Sequence, residues 1–225
     1  MFNNVRSSMK CLVATAAIIL GPVSGAEAKT ISFNTDPFAG STALTTPGRQ
    51  IVGNELFIPD FDIANDILEF DPEVFGLNRP LSFASGSAAS FVGSIANFLV
   101  LQDVDADFNP ANGIFNNAGT SANNIAASGI NAGPGFFLYF NTALDLNRLV
   151  YSTDLASPTA DLKVLARFTN QVGIQAANAR ANFSAGNIAA VPEPATWMML
   201  ILGFGIVGFA MRSKSLKLLD LQMAV

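Results

Sequence analysis

The sequence predicts a mainly β fold: an antiparallel β-sandwich-like domain with a short helix, followed by a C-terminal transmembrane helix. Three observations carry that expectation. Apolar runs between residues 30 and 190 are short and are punctuated throughout by Gly, Asn, Ser and Thr, the texture of strands joined by turns. Residues 161–169 alternate apolar and polar side chains, the period-two signature of a strand. Residues 195–211 form a run of 17 without a single charge.

In chain order, Ile51 to Ile58 and Ile67 to Phe70 are strand candidates, and Phe98 to Leu101 reads as a buried strand because it is apolar throughout. A short helix is expected from Ser121 to Ser128, capped by Thr120 or Ser121, whose hydroxyls suit an N-cap. Phe136 to Phe140 and Leu149 to Ser152 look like a strand pair around the polar segment Asn141 to Arg148. The clearest strand is Asp161 to Thr169. Leu162, Val164, Ala166 and Phe168 would line one face, with Lys163, Arg167 and Thr169 on the other. Many short strands with polar turns point to a sandwich, and the 19 phenylalanines then read as core filling.

Both ends of the chain read as handling signals. Arg6 and Lys10 precede an apolar run from Cys11 to Leu20, then Gly21-Pro22 and Ala26-Glu27-Ala28. A positive start, a short apolar region and a small-x-small site describe a secretory signal peptide, residues 1–28, cleaved before Lys29. Cleavage there removes Cys11, the only cysteine, so no disulfide is expected in the exported domain, residues 29–190. At the other end, Val191-Pro192-Glu193-Pro194-Ala195-Thr196-Trp197 leads into the uncharged run, and Arg212, Lys214 and Lys217 follow it. Seventeen helical residues extend about 25 Å at 1.5 Å each, near the lower limit for a hydrocarbon core of about 30 Å. Trp197 suits the interfacial belt, and the cations favour the cytoplasmic side, as a basic stop. Residues 218–225 would be a short cytoplasmic tail.

This arrangement resembles the PEP-CTERM sorting signal of Gram-negative bacteria, in which Pro-Glu-Pro precedes a membrane helix and a basic cluster. Pro192, Glu193 and Pro194 match its hallmark, and Trp197 falls where many members carry an aromatic. The resemblance implies delivery by the secretion machinery, an inner-membrane-anchored precursor, and an exosortase that reads and removes the tail. It also implies a cell-surface or extracellular destination and association with exopolysaccharide. Proline at two of three positions keeps the motif extended, and a simple spacer before a permanent anchor is the alternative. Residues 98–170, including Gly133 to Asn141 and Leu149 to Leu155, further resemble a group of exported PEP-CTERM proteins of undefined activity, which brings no catalytic residues.

The exported domain sets seven cations against fourteen acids, a net of −7, which argues against a nucleic-acid surface. There is no histidine, so histidine triads and imidazole metal sites are excluded. No phosphate-binding loop or dinucleotide fingerprint is present. Asp62, Asp66, Glu69, Asp71 and Glu73 could furnish a carboxylate pair for glycoside hydrolysis, although an acidic surface stretch is commoner. Asp103, Asp105, Asp107 and Asn109 alternate oxygen donors in a way that could converge on Ca²⁺. Phe108 and Ile114 fail the EF-hand pattern, so the choice there is a looser loop site or a solvated acidic turn. Asn112 to Gly135 is rich in Asn, Ala, Gly and Ser but lacks the Thr ladders of an ice-binding face.

Two functions follow. The first is a non-enzymatic exported surface or matrix protein, with no cofactor unless calcium binds. The second is a carbohydrate-binding, weakly hydrolytic or ice-binding sandwich that uses exposed acids with Tyr139 or Tyr151 beside a groove.

Overall fold

A computed structural model describes residues 27–103, 115–191 and 198–207 of the chain. Its strands are β1 (Thr30–Phe33), β2 (Ile51–Val52), β3 (Leu56–Ile58), β4 (Ile67–Phe70), β5 (Phe83–Gly86), β6 (Phe98–Leu101), β7 (Gly135–Asn141), β8 (Leu146–Ser152), β9 (Leu162–Val172) and β10 (Ile188–Ala190). Two helices, α1 (Ala118–Ala127) and α2 (Gly173–Asn182), join them.

The strands form two sheets. A three-stranded sheet runs β1-β4-β10, and a seven-stranded sheet runs β2-β9-β8-β7-β6-β5 with β3 also paired to β9. Their inner faces share one core, in which Ile31, Leu68 and Phe70 meet Phe98, Phe136, Leu138, Leu149 and Phe168. The opposite face of the large sheet carries Leu99, Phe137, Tyr139, Val150 and Val164, and these are covered by Ala118, Ala122 and Ile125 of α1 and by Phe91. The large sheet is thus buried on both faces, so Phe98 to Leu101 is apolar without alternation.

The mainly β class holds, but antiparallel pairing is confined to β7-β8-β9. Every pair in the small sheet is parallel, as are β5-β6, β6-β7 and the pairings of β2 and β3 with β9. The reason is connectivity. Only the segment between β7 and β8 is a tight hairpin, where the Asn141 side chain accepts the N–H groups of Ala143 and Leu144 and Asp145 takes φ 55°. β8 and β9 are joined by the longer loop 153–161, which still returns the chain to the adjacent antiparallel position; the parallel neighbours are reached by longer excursions out of the sheet.

Strand β9 departs from the expected faces. Leu149 opposes Ala166 while Val150 opposes Val164, so Leu165 is an extra residue, a bulge. Leu162 and Val164 therefore face α1, whereas Ala166 and Phe168 face the small sheet. One inserted residue divides between two cores the set expected on one side. The expected strand from Ile51 to Ile58 is likewise broken, at Gly53 and Asn54, with Asn54 at φ 65°.

The helix expected from Ser121 begins earlier, at Ala118. Asn117 is its cap, accepting the Thr120 N–H at 2.9 Å. Its small residues let it lie close to the sheet: a Cβ on Gly119 would sit 3.2 Å from Ile51 Cδ1. The Ala, Gly and Ser content of this stretch therefore serves packing, since Ala118, Gly119, Ser121 and Ala122 are all buried.

At the C-terminal end, residues 198–207 are helical and their apolar side chains are exposed. Among the described residues no helix is long and apolar enough to cross a membrane. Of the expected span 195–211, residues 195–197 and 208–211 lie outside the described residues, and ten helical residues reach only about 15 Å.

Candidate functional site

The segment that leads to the Pro-Glu-Pro triplet is fastened into the fold. Strand β10 pairs in parallel with β4, Ile188 opposite Leu68 and Ala190 opposite Phe70, and the Val191 N–H continues the ladder to the Phe70 carbonyl at 2.8 Å. Just before it, Ser184 and Asn187 form a reciprocal cap. The buried Asn187 side chain donates to the carbonyls of Ile63 at 2.8 Å and Asp66 at 3.0 Å. The same turn holds the other end of the domain: Asp66 accepts the Lys29 N–H at 2.8 Å and the Asp62 N–H at 2.9 Å. The expected first and last residues of the exported domain are thus tied to one turn.

Pro192, Glu193, Pro194 and Trp197 lie outside the described residues, as do Arg212, Lys214, Lys217 and residues 1–26 of the signal peptide. Of the calcium candidates, Asp105, Asp107 and Asn109 also lie outside them. Asp103 is described. It accepts the Ala88 N–H at 3.1 Å, and its charge acts on buried Arg180, whose pKa burial pushes down to about 10 while Asp103 raises it. Among the described residues no three acids gather in a way that could hold a metal ion.

The acids between Asp60 and Glu73 serve as local anchors. Asp62 accepts from Ala64 and Asn65, Asp71 from Glu73 and Val74, and Glu69 from the Ser32 hydroxyl. Neither tyrosine lines a groove, which corrects the expectation of an exposed ring beside acids. Tyr139 is fully buried, its hydroxyl accepting from Asn141. Tyr151 is 5% exposed and donates to the Phe75 carbonyl at 2.7 Å. Both sit in the core because their strands are covered on both faces.

Sequence reasoning did not find the charge cluster on the α1 side of the large sheet. The Glu55 carboxylate receives Arg148 at 2.9 Å and also Arg167, with its side chain 9% exposed. Burial pushes the Glu55 pKa up, but hydrogen bonds from its own backbone and Arg167, with the charges of both arginines, outweigh this and leave it lowered. Phe57 stacks under Arg167 at 5.0 Å. The three charges are 93 or more positions apart between Glu55 and the arginines, so no local spacing announces them. The geometry is that of a partly buried ion cluster tying the residue just before β3 to β8 and β9.

Two of the concave surfaces among the described residues bear on function. One, about 650 Å³, runs beside β10 between the segment Pro72 to Phe83 and residues 185–190, with Arg79 at its side. The other, about 450 Å³, opens where the two sheets part, with Phe33, Asn34, Asp36, Asn54 and Lys163 around it.

Residues 190–215 match the family model of the PEP-CTERM protein-sorting motif. The match begins at the last residue of β10 and covers the triplet, the apolar run and two of the three cations. No curated protein and no solved structure matches the chain. The motif implies an exported protein whose membrane-anchored precursor is processed by an exosortase.

Proposed function

We propose that this is a non-enzymatic protein of the cell surface or extracellular matrix, released from its membrane anchor by an exosortase and associated with exopolysaccharide. The observation that carries the reading is the sorting motif at residues 190–215, joined without a linker to the folded strand β10. Pro192, Glu193 and Pro194 form the recognition element, the prolines removing backbone donors and Glu193 supplying its one charge. The lack of histidine and of a cysteine beyond the signal peptide, and the engagement of the acids around Asp66 in turns, support a non-catalytic role.

The test is made in a host that carries an exosortase, with an epitope placed after Val225. The wild type loses the epitope, whereas Glu193→Ala and Pro194→Ala leave the full-length precursor in the membrane. An epitope retained by the wild type would reduce the tail to an anchor.

A carbohydrate-binding role is the second reading, supported by the cleft between the sheets. It sets the half-buried Phe33 ring beside Asn34, Asp36, Asn54 and Lys163, the mixture of apolar wall and few polar groups that small-ligand sites favour. Binding on a glycan array that is lost in Asn34→Ala would put this reading first.

A further inference from the structure

We propose that the groove beside β10 is a docking surface for the exosortase, so that the enzyme reads the folded edge of the domain as well as the tripeptide. The inference rests on the sorting function proposed above. It starts from the absence of slack. Val191 is still hydrogen-bonded to Phe70, and Pro192 is the next residue, so Pro194 lies within about 11 Å of Val191 at up to 3.6 Å per residue. A protease that grips Pro192 to Pro194 must therefore rest its body against whatever flanks β10.

What flanks β10 is a groove suited to a protein partner. Among the described residues β10 is an edge strand of the small sheet, paired with β4 alone. Its open side borders the concavity of about 650 Å³, whose walls include Leu77, Leu81, Phe83, Ile188 and Ala189, all partly exposed. Arg79, also partly exposed, brings the one cation of that lining. Its Nε and Nη2 are buried with no hydrogen-bond partner, and it makes no ion pair among the described residues. Those two nitrogens are closed off from a partner, Nη2 lying beside Gly133, so what Arg79 offers the groove is its charge, a positive one on a domain of net charge −7, which carbonyl or carboxylate acceptors on a partner complement. The partner face that fits presents apolar side chains to the groove and acceptors to Arg79.

The experiment uses the full precursor with a C-terminal epitope in an exosortase-bearing host, following epitope loss with time. Arg79→Glu reverses the charge at the groove. A ten-residue Gly/Ser insertion between Val191 and Pro192 leaves every side chain in place but separates motif from groove. Each is expected to slow processing at least fivefold, while protease resistance of the domain and export stay as in the wild type. Wild-type rates in the insertion variant overturn the inference, as do wild-type rates in Arg79→Glu. A wild-type precursor that keeps its epitope defeats the sorting function itself, a different outcome from a processed wild type with equally processed variants.

Discussion

The side-chain amide of Asn187 donates to the Asp66 carbonyl at 3.0 Å, across 121 positions of sequence, and so closes the C-terminal end of the domain onto the turn that holds its N-terminal end. The same Nδ2 reaches Ile63, and Oδ1 accepts the Ser184 N–H. Replacing Asn187 with Ala strands the buried Asp66 carbonyl, at about 1–3 kcal/mol, while the part-buried Ile63 carbonyl and Ser184 N–H can turn to water and add less. Asn187→Ala is expected to lower stability by about 2–3 kcal/mol in denaturant unfolding and to speed amide exchange in β10 ahead of β7. Unchanged exchange at Ile188 to Ala190 would show that the ladder to β4 suffices alone.

Glu55 stands between two arginines, and its removal leaves both guanidinium groups without their carboxylate. A buried pair broken on one side costs about 3–5 kcal/mol and an exposed one under about 1. With Arg167 partly exposed, Glu55→Gln should cost about 2 kcal/mol at pH 7. The pKa of Glu55 is lowered in the fold, so its contribution is full above the unfolded value near 4.3 and is lost as pH falls through the lower folded value. The stability gap between wild type and Glu55→Gln should therefore narrow as pH falls from the unfolded value near 4.3 and close below the folded one. A gap that stays constant down to pH 3 would mean that shape rather than charge is responsible.

The antiparallel hairpin, the Phe98 to Leu101 strand and the β4 strand were legible in the sequence because local pattern fixes them. The parallel pairings were not, since alternation tells which face a residue takes and not which strand lies beside it. The Leu165 bulge was invisible for the same reason: Leu162 and Ala166 fit a single alternating strand until Leu149 and Val150 set the register. Strands β1, β5 and β10 are three or four residues long and mix in Thr, Ser, Gly and Ala, so they lack the apolar weight that marks Ile67 to Phe70 and Phe98 to Leu101. Helix α2 has weak amphipathicity, with only Ala176, Ala179 and Arg180 buried. The sorting motif was legible in full because its recognition depends on residue identity, whereas Arg79 and Glu55 acquire their settings only from tertiary neighbours.

The chain has two tyrosines, and both are held neutral. Burial pushes Tyr151 up to about 12. Tyr139 is also raised, chiefly by burial and against hydrogen bonds from Asn141 and Arg148. A raised folded pKa adds stability that is complete below the unfolded value near 10 and disappears as pH rises through the folded value. Ultraviolet titration should show less tyrosinate at pH 10.5 than two free tyrosines would give while circular dichroism remains native, then a rise that coincides with unfolding. A reversible step near pH 10 in the native protein would contradict the buried placement of at least one ring.

Asp103 is the one calcium candidate whose surroundings are described, and they give it a task that needs no metal. Its carboxylate accepts the Ala88 N–H and faces the buried Arg180, whose guanidinium donates to Asn147 at 2.8 Å and stacks on Phe140 at 5.0 Å. Loss of that charge leaves a buried cation less compensated, so Asp103→Ala should destabilise the protein by about 1–3 kcal/mol even in EDTA. Matching melting curves for wild type and Asp103→Ala in EDTA would remove the structural role. A loop site completed by Asp105, Asp107 and Asn109 adds a separate signature. Free Ca²⁺ at a hundredfold excess over Kd stabilises the native state by about 2.7 kcal/mol, and Asp105→Ala, which leaves the Ala88 and Arg180 contacts in place, should abolish that gain. If wild-type curves in EDTA and in millimolar Ca²⁺ coincide, the alternating aspartates are a solvated turn and the role of Asp103 is the structural one.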